Sequence, residues 1–132
     1  MRIAVVPVTP FQQNCSIVWD PATMSGAVVD PGGDLELVLA RARQEGVRLE
    51  KILLTHAHID HAGATAELKR RLALPVEGPH EADQFWIDAL ESQGRMFGLD
   101  SAGRFTPDRW LHDGDRVTIG GLELEVRHCP GS

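Results

Sequence analysis

The chain has 132 residues, of which 42% are hydrophobic, and its formal net charge is -6 at pH 7. The length predicts one domain, residues 1–132, with enough apolar residues for a core of ordinary size. The acidic balance and the lack of a basic run argue against nucleic acid or an anionic membrane as a partner, and no apolar run approaches the roughly 20 residues of a membrane helix.

The first residues and the two cysteines predict a cytoplasmic protein. The segment Met1–Pro7 is too short for the apolar region of a signal peptide and lacks a cleavage pattern. Cys15 and Cys129 lie far apart in the sequence, and two thiols do not make a disulfide framework. We therefore predict that both are buried free thiols.

The first half of the chain predicts strands, a helix and a buried strand. Val, Ile and aromatic residues predict three strands, at residues 3–6, 16–19 and 27–29. A helix follows, with Asp34 as N-cap, Gly46 just after its end, and one apolar face formed by Leu35, Val38, Leu39 and Ala42. Residues 52–54 are continuously apolar, which is typical of a strand buried on both faces.

The second half adds helices and a hairpin. Helices are predicted at residues 64–72 and 81–92, with a short strand at residues 75–77 between them. Residues 93–107 are irregular and are either a loop over a site or a connector. Gly120 and Gly121 predict a hairpin turn, after which the apolar residues of the second strand point inward. Strands followed by βαβα order predict an α/β layered domain.

A histidine-rich motif follows the predicted buried strand, with its four polar side chains at His56, His58, Asp60 and His61. Alternate side chains of an extended chain point the same way, so His56 and His58 can bind one metal ion. A turn before Asp60 lets Asp60 and His61 face a second position nearby. Four ligands in so short a span therefore predict two adjacent metal ions rather than one closed tetrahedral site.

The sequence His56-Ala57-His58-Ile59-Asp60-His61 resembles the HxHxDH signature of the metallo-β-lactamase superfamily. Weaker likenesses to the glyoxalase II-like branch of that family occur in the same order along the chain, at residues 14–18, 28–33, 111–115, 120–124 and 128–131. The resemblance runs from Arg2 to Gly131. It implies an αββα sandwich, of which this chain holds mainly the N-terminal half.

The resemblance implies a role for each residue of the motif. His56 and His58 hold a first metal ion and His61 a second, while Asp60 binds metal and accepts a proton from a bridging hydroxide. The implied cofactor is one or two zinc ions, with iron or manganese as substitutes. Where the family has a further ligand histidine this chain has Ser132, and a serine hydroxyl is a poor zinc ligand, so we expect the N-terminal part of a longer hydrolase.

The activity that the resemblance implies is attack of a metal-bound hydroxide on a small-molecule thioester of the hydroxyacylglutathione type. The alternatives are a lactonase, an iron-dependent persulfide dioxygenase, or an inactive fragment that binds metal weakly or not at all. A half sandwich exposes an apolar sheet face. The isolated chain is therefore expected to be marginally stable, self-associated as a homo-oligomer, or completed by another chain.

The polar residues outside the motif predict less. Asp30 ends a strand before a Pro-Gly turn, where it either shapes the turn or orients a ligand histidine. Thr55 is predicted to be structural. His80 is expected at the surface or at a helix start and His112 in solvent, and His128 is a minor candidate for a substitute ligand.

Overall fold

The computed structural model of the chain describes residues 1–8, 13–31, 35–55, 64–80, 84, 87–89, 105 and 107–126. Five strands in these ranges form one sheet in chain order: β1 (Arg2–Val8), β2 (Gln13–Trp19), β3 (Ser25–Val29), β4 (Arg48–Leu53) and β5 (Val76–Glu77). β1, β2 and β3 pair antiparallel, whereas β3, β4 and β5 run parallel. The carboxyl ends of β3 and β4 therefore meet at one edge of the sheet.

Two helices, α1 (Leu35–Glu45) and α2 (Thr65–Leu72), connect the parallel strands, because parallel neighbours need a crossover. The helices bury their apolar sides on one face of the sheet. Around them the core on this face contains, among others, Ile17, Val28, Val38, Ile52, Leu68 and Val76, all fully buried. Packing of helices against a mixed sheet confirms the predicted α/β class.

Gly46 ends α1 as the sequence predicts. Its N–H donates to the carbonyl of Arg43 at 3.1 Å, and the N–H of Val47 donates to the carbonyl of Ala42 at 3.0 Å. Gly46 has a φ of 73°, the left-handed conformation that glycine adopts without strain. These two bonds form a Schellman motif, which satisfies carbonyls at the helix end and directs the chain into β4.

Strand β4 begins earlier than its apolar run predicts. Its first half, from Arg48, alternates between exposed and half-buried residues. The hydroxyl of Ser25 donates to the carboxylate of Glu50 at 2.9 Å, and Lys51 pairs with Glu77 at 2.6 Å. Because these polar side chains find partners on neighbouring strands, a search for apolar residues alone misses this half of the strand.

A hairpin of β6 (Arg116–Ile119) and β7 (Leu122–Glu125) covers part of the other sheet face. Val117 and Ile119 are buried there against a cluster formed by Val18, Ala27, Leu53 and Leu111. Leu122, Leu124 and Val126 alternate with exposed residues, as predicted, but are only half-buried. The hairpin is thus a partial second layer.

The sheet face beyond the hairpin exposes apolar side chains along β1. Ile3 is 56% and Val5 is 47% exposed, while Ala4 and Val6 between them are buried. Ile3 pairs with Val18 of the hairpin-side cluster, so it lies on that face of the sheet. The apolar face expected of a half sandwich is therefore present at this end.

Two predicted segments are described only in part. Gln84 and residues 87–89 are helical, inside the predicted third helix. The rest of that helix and most of residues 93–107 lie outside the described residues. None of the helices in the described ranges is long and apolar enough to cross a bilayer.

Candidate metal centre

The motif begins at the carboxyl edge of the parallel strands. Val29 at the end of β3 is in register with Leu53 at the end of β4. Asp30 and Thr55 follow at this edge, and the next residue along the chain is His56. The predicted ligands, at positions 56, 58, 60 and 61, lie outside the described residues.

A carboxylate holds the residue that precedes the motif. Asp30 accepts two hydrogen bonds from Thr55, one from its backbone N–H at 2.8 Å and one from its hydroxyl at 2.5 Å. The backbone N–H of Asp30 donates to the carbonyl of Leu53 at 2.9 Å. Asp30 has a φ of 54°, a left-handed conformation that aspartate tolerates better than most residues. The three bonds fix where the chain leaves β4.

The other end of the motif is tied to the same turn. The N–H of Ala64, the first described residue after the motif, donates to the carbonyl of Pro31 at 2.9 Å. Thr55 and Ala64, which flank residues 56–63, are thus hydrogen-bonded to the consecutive residues Asp30 and Pro31.

A buried hydroxyl lies at the start of α2, four residues after the motif in the sequence. Thr65, the first residue of α2, is fully buried, and its hydroxyl has no hydrogen-bond partner among the described residues. A buried polar atom without a partner costs free energy. The Thr65 hydroxyl is therefore available to a water molecule.

Cys15 lies in the core close to Asp30. The thiol is free and fully buried, as predicted. Burial, together with the negative charge of Asp30, raises the pKa of this thiol to about 12. Since the thiolate is the nucleophilic and metal-binding form, Cys15 serves as an apolar core residue at neutral pH.

Two further histidines, His80 and His112, lie in contact beyond the end of strand β5. A Cβ on Gly78 would stand 2.3 Å from the carbonyl oxygen of Leu54, so only glycine allows this close approach. Two residues later, the ring of His80 meets that of His112 edge to face, with centroids 5.0 Å apart. His112 also lies near Asp115, its Nδ1 3.5 Å from a carboxylate oxygen.

The histidine pair differs from the sequence prediction in one respect. His80 is half-buried and His112 is exposed, in line with surface positions, but their mutual contact has no signal in the sequence because they lie on separate loops. Within the described part of the chain, no three His, Cys, Asp or Glu side chains are arranged to hold a metal ion. His128 and Cys129 lie outside it.

The donor set of the motif fits a divalent transition metal. Three imidazoles and a carboxylate suit zinc and iron, both of which accept mixed nitrogen and oxygen ligands. Thr55 and Ala64, which flank the motif in the sequence, are hydrogen-bonded to Asp30 and Pro31 at the carboxyl edge of the sheet. In open α/β sheets this edge is the usual place for ligands.

Comparison with known proteins defines the class. Residues 8–132 match the model of the metallo-beta-lactamase superfamily, so the chain belongs to that superfamily. It is 39% identical to hydroxyacylglutathione hydrolase GloC of Haemophilus influenzae over 132 residues, which is 99% of this chain and 62% of that protein. It is 34% identical to a hydroxyacylglutathione hydrolase of Bdellovibrio bacteriovorus over 98% of this chain and 44% of that protein.

Two crystal structures share the fold. The BLEG-1 B3 metallo-beta-lactamase aligns with a TM-score of 0.82 at 30% identity, over 98% of this chain and 62% of its own. TTHA1623 in a di-iron-bound form aligns with a TM-score of 0.81 at 34% identity, over 97% of this chain and 61% of its own. The described sheet, helices and hairpin are thus the N-terminal part of the αββα sandwich, as predicted, and the chain spans less than two thirds of these relatives.

Proposed function

We propose that this chain is the metal-binding part of a hydrolase that cleaves thioesters of the hydroxyacylglutathione type. The observation that carries the proposal is the motif His56-Ala57-His58-Ile59-Asp60-His61, bracketed by hydrogen bonds to Asp30 and Pro31. The names of the Haemophilus and Bdellovibrio relatives support the substrate class.

Each residue of the motif has a proposed task. His56 and His58 hold one metal ion, and Asp60 and His61 hold a second beside it. When bound, such metals acidify water towards neutral pH and polarise a carbonyl group. Asp60 is the proposed proton acceptor in the motif, because a carboxylate next to the reacting water can take its proton.

Asp30 and Thr55 are proposed to position the motif. Their two hydrogen bonds set the chain direction one residue before His56, and Ala64 returns the chain to Pro31. Groups outside the ligand set that orient ligands typically change metal affinity by about 10- to 100-fold when removed. Zinc is the proposed metal, and iron is the alternative that the di-iron form of TTHA1623 favours.

The test combines metal content and turnover. The purified 132-residue chain is assayed for bound metal by elemental mass spectrometry and for hydrolysis of S-lactoylglutathione. We expect one to two metal equivalents, lost in His58→Ala and retained in the surface variant His112→Ala. Asp60→Asn is expected to reduce turnover far more than stability.

Other outcomes separate the alternatives. A chain that binds metal but hydrolyses a β-lactam or a lactone instead of the thioester would have a different substrate class of the same superfamily. Oxygen consumption with a persulfide would indicate the dioxygenase. A folded chain without metal would contradict the proposal for this chain and support the inactive fragment. The cytoplasmic location and self-association stay predictions, which fractionation and sedimentation can test.

A further inference from the structure

A groove lies at the sheet edge opposite the candidate metal centre. Val47 and Leu49, at the start of β4, line it together with Leu39 of α1 and Leu72 and Leu74 at the end of α2. Its volume is about 310 Å³. Since β4 rises roughly 3.3 Å per residue, the path from Leu49 to Thr55 is roughly 20 Å long, so the groove is separate from the metal centre.

The lining of the groove is apolar but incompletely covered. Leu72 is 40% exposed, and Leu39, Leu49 and Leu74 are half-buried where they pack against the core. Water therefore contacts several leucine side chains that line one cavity. An apolar ligand that displaced this water would gain the favourable free energy of burying their surface.

The end of α1 fixes the shape of this groove. The Schellman motif at Gly46 turns the chain so that Val47 contributes to the lining two residues before Leu49. The same turn holds the backbone of Arg43, whose carbonyl accepts the N–H of Gly46. Backbone hydrogen bonds thus set where Val47 enters the lining of the groove.

Of the described residues that line the groove, Arg43 is the one that carries a charge. Among the described residues it forms no ion pair or hydrogen bond through its guanidinium group. Its neighbours differ, because Arg41 pairs with Glu45 at 3.0 Å and Arg71 pairs with Glu36 at 2.6 Å. Glu36 and Glu45 of α1 are thus already paired with other arginines.

We propose that this groove binds a small amphiphilic carboxylate, with its hydrocarbon part against the leucines and its carboxylate on Arg43. Ligand sites are typically concave, mostly apolar and oriented by one or a few polar groups, and their volumes begin near 300 Å³. A guanidinium group matches a carboxylate with two parallel hydrogen bonds. The proposal does not depend on the metal chemistry, since the groove opens at the other edge of the sheet.

The experiment uses octanoate and its neutral analogue octanamide as probes. Binding to the purified chain is followed by ¹H–¹⁵N chemical shifts and by calorimetry. Octanoate is expected to shift the amides of Val47, Leu49 and Leu72, and Arg43→Gln is expected to weaken its binding about tenfold, the loss of a charge-assisted hydrogen bond. Octanamide is expected to bind the unsubstituted chain and Arg43→Gln equally.

Two control variants separate ligand binding from a structural role. Arg70→Gln removes an exposed arginine of α2 that does not line the groove, and it should leave octanoate binding unchanged. Leu72→Ser should weaken octanoate and octanamide alike, because it removes apolar surface.

The proposal is overturned if octanoate shifts no groove amide, or if Arg43→Gln and Arg70→Gln bind it equally. In that case Arg43 only offsets the partial negative charge of the α1 terminus, and its replacement lowers thermal stability without changing binding.

Discussion

The two faces of the five-stranded sheet are stabilised in different ways. On the helix side Ile17, Val28 and Ile52 are fully buried. On the hairpin side coverage is partial, and Ile3 and Val5 remain exposed.

Polar bonds support the less complete side. The carboxylate of Asp20 accepts the N–H of Gly121 in the hairpin turn at 2.8 Å, and Arg109 joins Glu77 of β5 to the carbonyl of Arg116 in β6. The helix side therefore depends mainly on packing, whereas the hairpin side combines a smaller apolar cluster with a few charged groups.

Removing packed volume on the helix side should have the largest effect. Ile52→Ala leaves a cavity in a fully buried site and should lower the free energy of unfolding by about 4 kcal/mol. The matched change Ile3→Ala on the exposed face should cost no more than about 0.5 kcal/mol. Urea denaturation followed by circular dichroism measures both. A loss at Ile3 as large as that at Ile52 would show that the β1 face is covered in solution, as self-association predicts.

The ion-pair network of Glu77 should rank next. Glu77 is 8% exposed and contacts Lys51 at 2.6 Å and Arg109 at 3.0 Å. Glu77→Gln leaves two cations without their carboxylate and should cost about 3 kcal/mol. Arg116→Gln, which breaks the exposed pair with Glu123, should cost less than about 1 kcal/mol in the same denaturation experiment. Equal costs would mean that the network adds nothing beyond a surface pair.

The Thr55–Asp30 bond should affect metal binding more than stability. Thr55→Val removes the hydroxyl that donates to Asp30 and should cost about 1 kcal/mol of stability, because the bond lies at an exposed residue. Metal affinity, measured by competition with a chelator, should fall about tenfold. Thr55→Ser keeps the hydroxyl and should restore the affinity. If Thr55→Val left the metal affinity unchanged, Thr55 would have no role in positioning the motif.

The smallest effect should be the pH dependence of stability that comes from the bond between Asp20 and Gly121 of the hairpin turn. Hydrogen bonds from the N–H groups of Ala22 and Gly121 lower the pKa of Asp20 below its ordinary value. A lowered folded-state pKa contributes stability that is present above about pH 4 and is lost as pH falls through the folded value. Asp20→Asn should therefore reduce the loss of stability between neutral and acidic pH, measured as urea midpoints at pH 7 and pH 3. An unchanged difference between the two midpoints would assign the acid sensitivity to other carboxylates.

Local patterns predicted the parts of the fold that are made by neighbours in sequence. Residues 16–19 and 27–29 are strands because β-branched and apolar side chains fit a buried sheet, and α1 ends at Gly46 because glycine accepts the left-handed turn. The first half of β4 was missed, because its polar side chains are stabilised by partners on β3 and β5. The His80–His112 contact was missed because the two histidines lie on separate loops.

The candidate site also has a part that the sequence predicts and a part that only the structure provides. The predicted ligand set at His56, His58, Asp60 and His61 is read from spacing, and the family match of residues 8–132 extends over it. The sequence does not decide whether Asp30 shapes its turn or orients a ligand, because its partner Thr55 is 25 residues away. The structure provides that partner, although the orientation of a ligand histidine by Asp30 stays a prediction.

The sequence by itself determined the α/β order and the superfamily and predicted a metal-binding motif, because these depend on residue types at short spacing. Only the tertiary structure decided which groups stabilise the hairpin, what holds the two ends of the motif and where the Arg43 groove lies. Asp20 and Gly121 are 101 residues apart, and Ala64 meets Pro31 only after the chain has passed through β4. Contacts of this kind leave no periodic pattern in the sequence, since they depend on how the sheet brings distant turns together.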